Sequence, residues 1–114
     1  MEFSGQYLTF EEYKKMGGTL DQTPFNLLEY EARKKIDEQT FGRLIKLEQQ
    51  KTEVKMCIWD LINLQFSINN GVDISGNVVN YNEQQIASFE RQAIKRNLID
   101  CQLEDGTPYL YRGV

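Results

Sequence analysis

The sequence predicts a mainly α-helical fold, a small bundle of about four helices with an ordered loop or short hairpin and an extended C-terminal tail. Three observations lead there. Apolar residues recur at helical spacing over separate stretches, N-terminal cap signals stand before them, and glycine-bearing turns follow them. Only past Leu98 does the apolar period shorten toward two.

The first helix starts at Thr9-Phe10-Glu11-Glu12, a capping box in which Thr9 and Glu12 each satisfy a backbone N–H that the helix leaves orphaned. It runs through Met16 and stops at Gly17-Gly18, the first glycine suiting a left-handed cap. A second helix is expected with Thr23 as N-cap and Pro24 as its first residue, where a missing N–H costs nothing. Phe25, Leu28, Ala32 and Ile36 form its apolar stripe, and the register slips at Thr40-Phe41-Gly42. The third helix carries Val54, Cys57, Ile58, Leu61, Leu64 and Ile68, widened by Trp59, Ile62 and Phe66. A helix apolar over so much of its circumference is covered by several neighbours. Asn69-Asn70-Gly71 ends it.

Ser75-Gly76-Asn77 is a turn signal, and Ile74, Val78 and Val79 favour extended backbone, so Val72–Tyr81 reads as a small hairpin or a projecting loop. Asn82 caps a fourth helix with Gln85 in capping-box position; its inner face is expected to be Ile86, Phe89 and Ala93, with Ile94 at the margin. Beyond it Ile99, Cys101 and Leu103 alternate with polar residues, Asp105-Gly106 marks a turn and Pro108 excludes a continuing helix. The domain reading is therefore a helical unit over 1–98 and an extended tail or arm over 99–114. Two roles stand open for the aromatic Tyr109-Leu110-Tyr111: folding back onto the helices, or anchoring another chain.

Composition narrows the function classes. With 114 residues there is room for one domain and a modest core. No run approaches the roughly 20 apolar residues that span a bilayer, so no membrane partner is expected, and the chain reads as soluble. A net charge of −4 disfavours a dedicated binder of duplex DNA. The mild basic excess from Arg33 to Lys55 is broken by Asp37, Glu38, Glu48 and Glu53, the pattern of a solvated helix face. There is no histidine, which removes the commonest general base and nitrogen ligand. No nucleophile, phosphate-cradling or metal-ligand spacing occurs, so no enzyme activity, no cofactor and no metal are expected. Glu11/Glu12 and Glu29/Glu31 are read as caps and solvated faces, and Cys57 and Cys101 as reduced thiols.

The ordered set of segments resembles a known family. It comprises Tyr7-Leu8-Thr9-Phe10-Glu11-Glu12-Tyr13 with Gly17-Gly18, then Phe25, Leu28-Glu29, Ala32-Arg33, Ile36-Asp37 and Thr40-Phe41-Gly42-Arg43-Leu44. It continues with Gly76-Asn77-Val78-Val79-Asn80-Tyr81 and the ending Leu110-Tyr111-Arg112-Gly113-Val114. Over nearly the whole chain this looks like the head–tail connector, or head-completion adaptor, proteins of long-tailed bacteriophages and prophages of Gram-positive bacteria. The resemblance implies a structural virion protein, located in the neck and assembled in the bacterial host cytoplasm. It implies a homo-oligomeric ring, twelvefold like the portal, that extends the DNA channel and docks the stopper or tail. Its partners would be the portal protein and a stopper or tail-completion protein, with genomic DNA passing through unbound.

Carried over by position, the resemblance marks Leu110, Tyr111, Arg112 and Gly113, with the adjacent Tyr109, as contacts to portal or a neighbouring subunit. It marks Gly76, Asn77, Val78, Val79 and Tyr81 as a projecting contact loop. Rival readings are a stopper or tail-completion protein and a small helix-turn-helix DNA-packaging protein. The latter needs a basic recognition helix, and the best helix here is apolar.

Overall fold

The computed structural model describes residues 5–47, 49–72, 75, 77, 78 and 80–110. Among them are four helices and no strand: α1 (Phe10–Lys15), α2 (Gln22–Gln39), α3 (Thr52–Asn70) and α4 (Glu83–Leu98). The chain is a small, mainly helical bundle. Helix α3 is central, with α2 and α4 packed on it and α1 laid across α2.

Both expected capping boxes are formed. Thr9 accepts from the Glu12 N–H and Glu12 reaches back to Thr9; Asn82 and Gln85 do the same for α4. Helix α2 starts earlier than expected. Its N-cap is Asp21, so Thr23 and Pro24 lie inside the first turn rather than at the cap. Pro24 is tolerated there because first-turn N–H groups have no intrahelical acceptor, whatever the residue.

Phe25, Ala32 and Ile36 of α2 meet Val54, Cys57, Ile58, Leu61 and Ile62 of α3, and these meet Ala93, Ile94 and Leu98 of α4 in one core. Full burial of the Phe, Val, Ile and Leu side chains among them contributes about 1.5–3 kcal/mol each. Tyr13 of α1 joins them, its ring centroid 4.7 Å from that of Phe25 and 5.5 Å from that of the partly buried Trp59. The inner face of α4 is rotated from the expected one: Ile94 is core, whereas Phe89 is half-exposed and stacks edge-on against Tyr81. Phe66 is likewise exposed, because it sits to one side of the strip that α3 presents to its neighbours.

Helices α1, α2 and α3 end alike. The N–H just beyond the last helical turn bonds back five positions, Gly18 to Tyr13, Gly42 to Asp37 and Val72 to Ser67, as in a Schellman cap. That cap puts one residue at positive φ. In α1 it is Gly17 (φ 95°) and in α3 Gly71 (φ 64°), where the missing Cβ removes the steric cost. In α2 it is Phe41, at φ 55°.

Up to Leu110 the extended tail expected over 99–114 packs on the helical unit over 1–98. Cys101, Tyr109 and Leu110 belong to the same core as the helices. A tail this apolar has more to gain by covering the open side of α3 and α4 than by standing in water.

Candidate functional site

The C-terminal segment turns back on itself. Leu103 N–H donates to the Thr107 carbonyl at 2.7 Å, Tyr109 N–H to the Cys101 carbonyl at 3.0 Å, and Gln102 and Pro108 pair as an isolated antiparallel bridge. The Asp105 carboxylate accepts the Thr107 N–H at the tip, which holds its pKa below the usual carboxylate range. Two basic side chains from the α2–α3 connection hold this turn. Arg43 donates to the Pro108 carbonyl at 2.7 Å, and Lys51 donates to the Gln102 carbonyl at 3.0 Å while its ammonium lies 5.4 Å from the Tyr109 ring centre. Tyr109 is 1% exposed and Leu110 8%. Burial accordingly pushes the Tyr109 hydroxyl above its usual pKa.

The basic run is therefore not the solvated face expected from its charge alternation. Arg33 donates to the Gly5 carbonyl at 2.9 Å and lies against Glu29, Lys55 pairs with Glu12, and Lys35 pairs with Glu90. Against the cost of its partial burial, hydrogen bonds from Lys55 and Thr9 hold the Glu12 carboxyl below its ordinary pKa.

Glu29 departs furthest from expectation. Rather than facing solvent, it is wholly buried beside Phe25 and Ile36 on the core side of α2. One carboxylate oxygen accepts the Tyr7 N–H at 2.9 Å and the other lies 3.3 Å from Arg33 Nε. The Tyr7 hydroxyl donates to Asp37. Burial pushes the Glu29 and Asp37 carboxyls up, although hydrogen bonds from Tyr7 and the nearby Arg33 charge favour their charged forms. The cluster binds the segment before α1 to α2. Glu31, two residues on, points away from it and is exposed, so Glu29 and Glu31 form no pair, and Glu11 is exposed on α1. Among the described residues no group of three or more acidic or cysteine side chains converges as a metal site would need.

The projecting loop is described in part. Val72 and Val78 form an isolated antiparallel bridge, and the Tyr81 hydroxyl donates to the Val72 carbonyl at 2.7 Å. Tyr81 thus ties the loop base to the start of α4. Val78 is 87% exposed and Asn77 is exposed. Gly76 and Val79 lie outside the described residues, as do Tyr111, Arg112 and Gly113. Of the marked tail residues, Tyr109 and Leu110 are buried in the core of their own subunit, which is the first of the two roles the sequence left open. The structure keeps the tail turn and the loop as separate places and does not gather them into one site.

Protein-family models, curated proteins and solved structures give no match to this chain. No described helix is long and apolar enough to cross a membrane.

One feature escaped the sequence reading. Phe41 is 63% exposed despite its positive φ, and its ring lies 5.2 Å from the Arg43 guanidinium. It borders a furrow of about 470 Å³ between the end of α2 and α4, floored by Ile94, Ile99 and Leu110. A register slip at Thr40-Phe41-Gly42 signals a helix end, but which residue takes the left-handed position depends on where the last helical hydrogen bond falls.

Proposed function

We propose that this chain is a structural assembly subunit, a head–tail connector of a long-tailed phage or prophage that forms a ring under the portal. The observation that carries this reading is the set of large apolar side chains left open to solvent on so small a protein: Phe41 and Ile45 at 63%, Leu27 at 51% and Val78 at 87%. Such exposure is tolerated where another protein covers it. The disposition of charge supports the same reading. Arg33, Arg43, Lys51 and Lys55 are spent on internal contacts, and a net charge of −4 suits a conduit that lets DNA pass without gripping it. A helix-turn-helix reading finds no support, because the central helix α3 is buried by its neighbours.

Electron microscopy of the protein mixed with portal-bearing heads tests the proposal. An added ring beneath the portal is expected. Removing residues 111–114 while keeping Tyr109 and Leu110 should weaken attachment without unfolding the subunit. Salt-sensitive, submicromolar affinity for duplex DNA, with no attachment to heads, would sink the idea.

A further inference from the structure

The C-terminal turn pairs in a fixed register. Leu103 N–H donates to the Thr107 carbonyl and Tyr109 N–H to the Cys101 carbonyl, with Gln102 opposite Pro108 between them. Each bonded pair lies two residues further along both segments, as in an antiparallel ladder. The next pair in the series sets Tyr111 opposite Ile99. Opposed side chains of such a pair stand on one face, as the buried Cys101 and Tyr109 do. Ile99 lines the furrow between α2 and α4, and so does Leu110, from which the chain continues into residues 111–114. Register and chain continuity lead the segment to the same place.

We propose that the occupant of this furrow is the chain's own Tyr111, its N–H donating to the Ile99 carbonyl and its ring lying against Ile99 and Phe41. The furrow suits an aromatic ring. Its floor is apolar, with Ile94 and Leu110, and the Phe41 ring borders it; aromatic pairs gain from contact beyond the area they cover. An occupant from outside is at a disadvantage. Leu110 is already fixed in the core, so seating Tyr111 orders a single further residue. A segment tethered this closely acts at an effective concentration on the order of millimolar, which a second copy or another protein would have to exceed.

The seat has a consequence for attachment, and this consequence rests on the connector reading. The segment assigned to the portal is held on its own subunit before assembly. Binding to the portal must then draw Tyr111 out of the furrow, and the apparent affinity is reduced by the fraction of subunits in which the segment is free.

Amide hydrogen exchange and isotope-filtered nuclear Overhauser spectra of the full chain test this. The Tyr111 amide should exchange at least about 10-fold more slowly than in an unstructured chain. In an equal mixture of labelled and unlabelled protein, the Tyr111 ring should contact Ile99 and Phe41 within one molecule. Phe41→Gly removes the bordering ring and keeps a residue that adopts the positive φ without strain. It should return the Tyr111 amide toward the unstructured rate while the Tyr109 amide stays protected, which shows that the fold is intact. An unprotected Tyr111 amide, ring contacts that cross between molecules, or Tyr111 protection unchanged in Phe41→Gly overturns the proposal. On portal-bearing heads Phe41→Gly should attach up to about 10-fold more tightly than the wild type; attachment no tighter than wild type overturns the competition. Failure of both proteins to attach would sink the connector reading and leave the seat of Tyr111 standing.

Discussion

Replacing Tyr109 by alanine separates a core residue from a surface anchor. The side chain is 1% exposed, its ring faces the Lys51 ammonium, and the chain around it is held by Arg43. Truncating a fully buried aromatic to alanine costs about 3–5 kcal/mol, because the apolar surface returns to water and the cavity closes only in part. Against a total stability of about 5–15 kcal/mol that is a large fraction. In a chain of this size the loss corresponds to a fall of roughly 10–20 °C in Tm. Thermal and urea unfolding followed by far-ultraviolet circular dichroism measures it, with Val78→Ala as the control. Val78 is 87% exposed, so its truncation should change stability by no more than about 0.5 kcal/mol. If Tyr109→Ala costs less than about 1 kcal/mol, the residue is not core and the folded-back tail is wrong. The same reasoning extends to the tail as a whole. Deleting residues 108–114 removes Tyr109 and Leu110 together, and should cost cooperativity and melting temperature rather than leave them intact.

Two further outcomes follow from the buried polar groups. Arg33→Met leaves Glu29 buried without its cation and should cost about 3 kcal/mol at neutral pH. Because burial raises the Glu29 pKa in the folded state, the folded chain holds that proton more tightly than the unfolded one, so stability falls as pH rises through the folded pKa. Removing Arg33 raises that pKa further. The penalty should therefore be largest at neutral and alkaline pH and shrink as pH falls through the raised folded-state pKa toward the ordinary carboxylate range; urea unfolding across a pH series that found it constant would contradict the role given to Glu29. The thiols make a simpler case. Burial pushes the Cys57 thiol up to about 12 and raises that of Cys101, so neither should react with an aromatic disulfide reagent near neutral pH until the protein is denatured.

Local chemistry was legible in the sequence where it acts over a few residues. Thr9 with Glu12 and Asn82 with Gln85 are caps because a side chain three positions away can reach an orphaned N–H, and the structure forms both. Gly71 ends α3 for an equally local reason, the steric cost of a left-handed backbone. The apolar stripes of α2 and α3 were readable because burial follows helical periodicity. What the sequence could not decide was which partner each face would meet. Glu29 sits on the buried side of α2 at a spacing that fits the stripe, yet a carboxylate is counted with the solvated positions until a Tyr7 N–H and an Arg33 guanidinium are seen to converge on it. Arg43 and Lys51 read as surface charge because their acceptors, the carbonyls of Pro108 and Gln102, lie more than fifty residues on. For the same reason the two roles open to Tyr109 could be weighed but not resolved. An aromatic residue gains by leaving water, whether its cover comes from its own helices or from another chain, and only the folded arrangement shows that the cover is already at hand.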